Sequence, residues 1–560
     1  MNRQLSIPKL GEGQLNFRIS LVKKRLSSFP LDNMDFIMAD LEHPEINYRM
    51  ADICTGDLTG RILEFLSCAE GIDSESAGPR LKELFERILQ TARPSGLFGK
   101  DSTRIPSQEE NICGIHSCVG TSATSKLFPG FLRYYELTGD HRALDTARRM
   151  GDYILAHENH LTEKKNTTAL WVIEPFALLY KITGQKKYQK IIDRMQLGPI
   201  DRAHSHGYLG SVRGLQTMAL CTDDLKYNEI PELRRKEIRD RCQLPDGCIS
   251  EHFPHSYRNE GCSIADWIMV NLNSALLTGE EDGYNIAENT LWNALFFNQF
   301  VSGAFGHRSL APNGYANREF QEAWWCCTEN CGRSMIEYAK HSVTLTDSTL
   351  RINFLTSGDF TVPWEGGEIK IRISTRWPTS PESIVTIRGL PKEFNIHVRQ
   401  PNDVKNFHTE QIWENGTLTL RLTGKVGHHL QAVGDRYLLK YGTLILAPSA
   451  YYWQPESTGC ADEGLLGYIP HQLPGKDADI LTGEENADGF LSFSHLPLPT
   501  WLFYEEGSHG RLTAGEASVN VPLRFRADGS TKMLYFWPMC YNTGGNNFYE
   551  TPILFGAAKE

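Results

Sequence analysis

The chain has 560 residues, with 57 basic and 68 acidic side chains and a formal net charge of −11. That balance gives no basic footprint and argues against nucleic acid as a partner. Hydrophobic residues at 40% and aromatics at 10% suffice for large cores and exclude global disorder, and no run of about 18 apolar residues predicts a membrane span.

The opening Met1-Asn2-Arg3-Gln4-Leu5-Ser6-Ile7-Pro8 has no apolar core of a secretory signal, so a cytoplasmic protein is expected. Thirteen cysteines, an odd number, argue against a disulfide framework and for reduced thiols, some of them metal ligands. Length and patterning predict two regions, a helical one over 1–342 and a β-rich one over 343–560.

From about residue 60 the spacing is helical. Leu63, Phe65 and Leu66, then Leu81, Leu84, Phe85, Ile88 and Leu89, recur at i, i+3, i+4. An internal repeat follows. Tyr135-Glu-Leu-Thr-Gly139 and Tyr180-Lys-Ile-Thr-Gly184 each precede an amphipathic stretch, and Leu276-Leu277-Thr278-Gly279 is a third copy of the corner. Each reads as a helix ending at Thr-Gly, where glycine takes the left-handed position, followed by a second helix. Stacked helix pairs of this period make a solenoid or a closed α/α toroid.

Near residue 343 the period becomes two. Ser342–Phe354 reads as two short strands and a turn. Gly367–Ser374, Ile384–Gly389, Phe394–Arg399, Leu418–Leu422 and Tyr437–Lys440 continue the pattern. Short strands punctuated by Gly, Pro and Asn indicate one or two β-sandwiches. The first residues of the chain are free to pack on this region, and 455–490 reads as loop.

The residues richest in chemistry are Trp324-Trp325-Cys326-Cys327-Thr328-Glu329-Asn330-Cys331. Adjacent cysteines can share one soft metal ion where the backbone turns. Upstream lie Glu251-His252-Phe253 and Glu260-Gly261-Cys262. Glu260, Cys262, Cys326 and Cys327 make a set of four, the number zinc requires. Buried apolar cysteines are the plain alternative. Cys113, Cys118, Cys242 and Cys248 are read as core or loop. Trp324 and Trp325 suit a sugar platform or the core. His204, His206, His252 and His255 suit hydroxyl binding or a solvated loop. Tyr257 and Arg258 share that loop without an assigned role.

The order of elements and the Glu-x-Phe, Glu-x-Cys and Cys-Cys segments resemble the β-L-arabinofuranosidase family of glycoside hydrolases, family 127 and its relatives. Ala275-Leu-Leu-Thr-Gly279, Asn289-Thr-Leu-Trp-Asn293, His397-Val-Arg-Gln-Pro401 and Lys440-Tyr-Gly-Thr-Leu444 extend the likeness over residues 110 to 450. The departures are specific. Thr328-Glu329-Asn330 stands where the family has Pro-Pro-Asn. Glu251 and Glu260 lie closer together than usual. Ser125-Lys126 and Thr168-Ala169 replace two Gly-His pairs that open sugar-facing helices, which bears on the identity of the sugar.

The resemblance implies an (α/α)6 toroid followed by β-sandwich material. It also implies a retaining exo-glycosidase acting on plant-type oligosaccharides. Zn2+ would be held by Glu260, Cys262, Cys326 and Cys327, with Cys326 also the nucleophile and Glu251 the acid/base. Partial burial would raise the pKa of Glu251 for that role. Glu322 and Glu329 are rival acids. Two other readings stay open. One is a toroid enzyme of another class (uronyl hydrolase, lyase or epimerase) using carboxylate or histidine chemistry. The other is a carbohydrate-binding protein with structural zinc. A homodimer through the β-region is compatible with all three.

Overall fold

Among the described residues, six inner helices carry the apolar side chains that the 3.6-residue period announces. They are α3 (Asp57–Asp73), α5 (Val119–Thr138), α7 (Ile173–Thr183), α9 (Ser205–Thr222), α11 (Gly261–Thr278) and α13 (Cys327–His341). In this computed structural model each packs on the next, and α13 packs back on α3, so the ring closes. The structure describes residues 3–43, 56–73, 76–92, 98, 119–156, 172–194, 197–256, 258–311, 314–316, 322–448, 477–493, 517–541 and 550–559.

Outer helices back the ring. They are α4 (Pro79–Gln90), α6 (His141–Ala156), α8 (Lys186–Arg194), α10 (Lys226–Cys242) and α12 (Asp282–Thr290), each packed on the inner helix before it. The sixth outer position is taken by α1 (Gln14–Leu26), which packs on α13, while α2 (Met34–Glu42) lies on α3 and α4. The burial patterns explain the two layers. Sixteen of the eighteen residues of α11 are buried, whereas α8 buries only Tyr188, Ile191 and Ile192. A helix apolar all round belongs inside, and a one-sided helix belongs outside.

The Thr-Gly corners behave as their sequence predicts. Gly139, Gly184 and Gly279 have φ of 70°, 64° and 76°. In each corner the threonine hydroxyl donates to the carbonyl four residues back and accepts the N–H two residues on. A fourth corner with the same bonds ends α9 at Thr222, with Asp223 in the left-handed position at φ 54°. Aspartate tolerates that region better than most residues, and its presence hid this copy of the repeat.

The C-terminal region is layered sheet. β6 (Val343–Thr346) and β7 (Thr349–Ile352) open it directly after α13. β1 (Arg3–Leu5) pairs with β6, and β11 (Asn395–Val398) pairs parallel to β7. A six-stranded sheet runs β12 (Lys405–Glu414), β13 (Thr417–Lys425), β10 (Ser383–Arg388), β9 (Gly367–Thr375), β8 (Gly358–Trp364), β2 (Ile7–Leu10). The N-terminal strands β1 and β2 therefore complete sheets of the distant β-region. A seven-stranded sheet contains β14 (His428–Val433), β15 (Arg436–Tyr441), β16 (Leu444–Pro448), β19 (Thr531–Pro538), β18 (Val519–Phe525), β17 (Ala478–Thr482) and β21 (Gly556–Lys559). β17 corrects the expectation of loop throughout 455–490. Its Ile480 and Leu481 are buried, and the acidic and glycine residues around it masked a short strand. Residues 483–490 are turn and loop, as expected, and 455–476 lie outside the described residues.

The two regions are locked by a buried ion pair. Arg399, just beyond β11, reaches Glu288 of α12 at 2.6 Å and Asn285 Oδ1 at 2.7 Å. Trp377 Nε1 donates to the other Glu288 oxygen at 2.9 Å.

Candidate active site

The site forms where the N-terminal ends of α11 and α13 meet. A short sheet of β3 (Arg258–Glu260), β4 (His307–Ala311), β5 (Gly314–Ala316) and β20 (Glu550–Pro552) feeds α11. Glu260 is the extended residue that caps α11, Cys262 lies in its first turn, and Cys326 caps α13, which opens at Cys327. Gly261 permits the meeting: a Cβ there would lie 3.0 Å from both Cys327 Cβ and Cys331 Sγ. One ligand atom from each of Glu260, Cys262, Cys326 and Cys327 falls within 4.8 Å of the others, and all four residues are buried. Cys326 Sγ is 3.6 Å from Cys327 Sγ, which is 4.0 Å from Glu260 Oε1.

Burial, and then the neighbouring thiols, push Cys262 and Cys327 well above the usual thiol range. Burial opposes ionisation of Glu260 as well. Hydrogen bonds with His204 and His307 outweigh it and hold this carboxyl well below the usual range. His204 Nε2 and His307 Nε2 stand 3.4 and 3.8 Å from its two oxygens. Three thiols and a carboxylate crowded in a dry site cannot all ionise unaided. A soft divalent cation removes that conflict, so the donor set fits a thiolate-bound metal such as zinc.

The other expected site residues are placed as follows. Glu251 is buried (8% exposed), and Arg258 grips it at two points, with Nη2 to Oε1 at 2.8 Å. That grip ties the carboxyl to a guanidinium beside the thiol cluster. His204 Nε2 lies 3.9 Å from Glu251 and forms with Glu251 and Glu260 a second cluster of convergent donors. His252 is exposed, with its ring 5.1 Å from that of His204. His206 is buried, with its ring 6.2 Å from that of His204: its Nδ1 bonds Asp266, and Arg61 and Lys126 approach its Nε2. Burial lowers its pKa to about 4. Trp324 and Trp325 are half-buried and pack edge to face at 5.2 Å. Of the rival acids, Glu322 pairs with Arg25 at 2.8 Å. Glu329 is buried with neither carboxyl oxygen hydrogen-bonded, and burial raises its pKa well above the usual range. Tyr257, Cys113, Cys118, Thr168 and Ala169 lie outside the described residues.

Residues 122–340 match the model of the β-L-arabinofuranosidase GH127 catalytic domain, which takes in both helix ends that build this site. Over this region the chain is similar to the family 127 glycoside hydrolases. Solved structures of the family share its fold. The GH127 β-arabinofuranosidase BT3674 superposes with a TM-score of 0.70 at 13% identity, over 99% of this chain and 98% of that one. The GH127 β-L-arabinofuranosidase Ara127N from Geobacillus stearothermophilus T6 gives 0.69 at 12% identity over the full length of both. No curated protein sequence matches the chain.

Several residues of this site escape sequence reasoning. His307 reaches Glu260 because it is the direct cross-strand partner of that residue, a register no local pattern encodes. Asp266 stands one helical turn after Cys262 and ties His206, Arg213 and Asn330 together. That i, i+4 spacing was a usable signal. Arg61 Nη1 stands 3.9 Å from Cys262 Sγ although the two are 201 residues apart, and nothing near Arg61 in sequence marks it.

Proposed function

We propose that the chain is a retaining exo-glycosidase of β-L-arabinofuranosidase type, with Cys326 as nucleophile and Glu251 as acid/base. The observation that carries this reading is the convergence of Glu260, Cys262, Cys326 and Cys327 within 4.8 Å in a buried site. These four residues would hold Zn2+, which when bound supplies the positive charge that keeps a thiol ionised at neutral pH.

Cys326, at the N-terminal end of α13, also benefits from the helix dipole, which favours an anionic sulfur. Its thiolate attacks the anomeric carbon and forms a C–S bond as the C–O bond to the leaving group breaks. Glu251 gives its proton to the departing oxygen. In the second half, Glu251 takes a proton from water, the water oxygen attacks the anomeric carbon, and the C–S bond breaks to return the thiolate. Two displacements retain configuration. Proton transfer requires the Arg258 pair to loosen. Trp324 and Trp325 would form a wall for the sugar, and His252 would meet its hydroxyls at the rim.

Among the described residues nine cysteines are free thiols, which suits a reducing compartment that spares a thiolate nucleophile from oxidation. No helix among the described residues is long and apolar enough to cross a membrane. The test is elemental analysis beside kinetics on 4-nitrophenyl β-L-arabinofuranoside and plant oligosaccharides. About one zinc per chain is expected, with activity lost in Cys326→Ala while part of the zinc remains. Zinc-free protein together with a fully active Cys326→Ala defeats the proposal.

A further inference from the structure

Asn330 takes no part in the proposed reaction, yet it joins the backbones of two of the four proposed ligands. It lies in the first turn of α13, buried at 5% exposure. Its own N–H closes that turn on the Cys326 carbonyl at 3.3 Å. Its side chain crosses to α11, where Nδ2 donates to the Cys262 carbonyl at 3.1 Å and to Asp266 Oδ1 at 3.0 Å. Its Oδ1 accepts from Arg333 Nη2 at 3.0 Å. A carbonyl and a carboxylate only accept, and a guanidinium only donates, so a single orientation of the amide satisfies all three partners.

Those partners are themselves held. Asp266 is bound by His206 Nδ1 and by Arg213, both on α9, and Arg333 is bound to Glu64 of α3. The amide is therefore where a buried network reaching α3, α9, α11 and α13 meets the backbone of the ligand set. A second tie between the two helix ends is weaker. Cys331 Sγ donates to the Gly261 carbonyl at 3.2 Å, and a thiol is a poor donor.

The split of the ligands makes these ties consequential. Glu260 and Cys262 belong to the start of α11, Cys326 and Cys327 to the start of α13. Zinc–sulfur bonds of about 2.3 Å leave little room for one helix to slide on the other. Resting on the reading of these four residues as zinc ligands, we infer that Asn330 is a positioning residue. It fixes the offset of α11 against α13, so that Cys262 meets the ion that Cys326 and Cys327 hold. Its bond to Cys326 ends on the carbonyl, so the clamp does not restrain the sulfur that attacks the sugar. The competing role is stability of the helix pair alone.

The experiment starts from the metal-loaded full chain. Zn2+ affinity is measured by titrating a competing chelator, and exchange with Co2+ gives visible absorption that reports the coordination geometry. Asn330→Ala should bind its ion about tenfold or more weakly than wild type, with the cobalt bands moved. Asn353→Ala is the matched control. Asn353 is also buried, just after β7, where its Nδ2 donates to the His341 carbonyl at 2.9 Å and to Thr344 Oγ1 at 3.0 Å. That variant should lose comparable stability in urea and keep wild-type metal affinity. Wild-type affinity or wild-type cobalt bands in Asn330→Ala overturn the inference. An equal loss of affinity in Asn353→Ala also overturns it, because metal binding then follows stability alone. If Asn330→Ala does not fold, Asn330→Ser is held to the same criterion. A wild-type chain that binds no zinc removes the zinc reading and this inference with it. Zinc held equally well by wild type and Asn330→Ala removes this inference alone.

Discussion

Arg399→Met tests how the toroid and the sheets hold each other. The side chain of Arg399 is 1% exposed and makes three bonds: to Glu288 at 2.6 Å, Asn285 Oδ1 at 2.7 Å and the Asn353 carbonyl at 2.6 Å. Methionine fills most of the volume but leaves Glu288, equally buried, as a charge supported by Trp377 Nε1. Removing one member of a buried pair costs about 3–5 kcal/mol. The stranded Asn353 carbonyl belongs to the same loss, so a destabilisation of about 4 kcal/mol is expected. The double variant Arg399→Met, Glu288→Met removes both charges together and should recover at least half of it, because an apolar pair replaces an ionic one. Urea unfolding at matched metal loading, followed by tryptophan fluorescence, reads both values. A single variant within about 1 kcal/mol of wild type, or a double variant as unstable as the single, refutes the reasoning.

Three further outcomes follow from the same structure. Gly283→Ala would set a Cβ 2.3 Å from the Asn271 carbonyl, prising α12 from α11; a loss of about 1–3 kcal/mol in unfolding free energy is expected, whereas Gly139→Ala, with φ of 70° and open space around it, should cost only about 1 kcal/mol. His206 has its folded pKa lowered to about 4, below the unfolded value of about 6.5. It therefore lends stability that is complete above the unfolded pKa and is lost as pH falls from there through 4, on the order of 3 kcal/mol; acid unfolding of His206→Gln should show a flatter decline over that window. Cys262→Ser and Cys327→Ser should each lower bound zinc at least tenfold in competition with a chelator, and equal retention in either would exclude that residue from the ligand set.

The helix pairs were legible because their signals are local. A threonine that bonds both ways and a glycine in the left-handed region recur at Thr138-Gly139, Thr183-Gly184 and Thr278-Gly279. The copy at Thr222-Asp223 was missed because aspartate fills the same backbone role with different chemistry. β17 was missed because five residues in an acidic stretch carry too little alternation to stand out. The Glu260, Cys262, Cys326 and Cys327 set was legible because the two segments hold the ligands at short spacing, and the toroid brings the segments together. The residues that set its electrostatics were not. Arg61, Lys126, His307 and Arg258 meet the site through helix crossings and strand registers. One of those crossings depends on a single glycine, Gly60, whose role appears only when α3 lies against α5.

The decisive chemical step is the bond that Cys326 would form to the sugar. NMR of the product during turnover of 4-nitrophenyl β-L-arabinofuranoside, with mass analysis of the acid-quenched Cys326 peptide, tests it directly. A first-formed product of unchanged anomeric configuration is expected, with a glycosyl adduct on that peptide that is absent in Cys326→Ala. Turnover with inverted configuration, or with the adduct on a carboxylate, would contradict it.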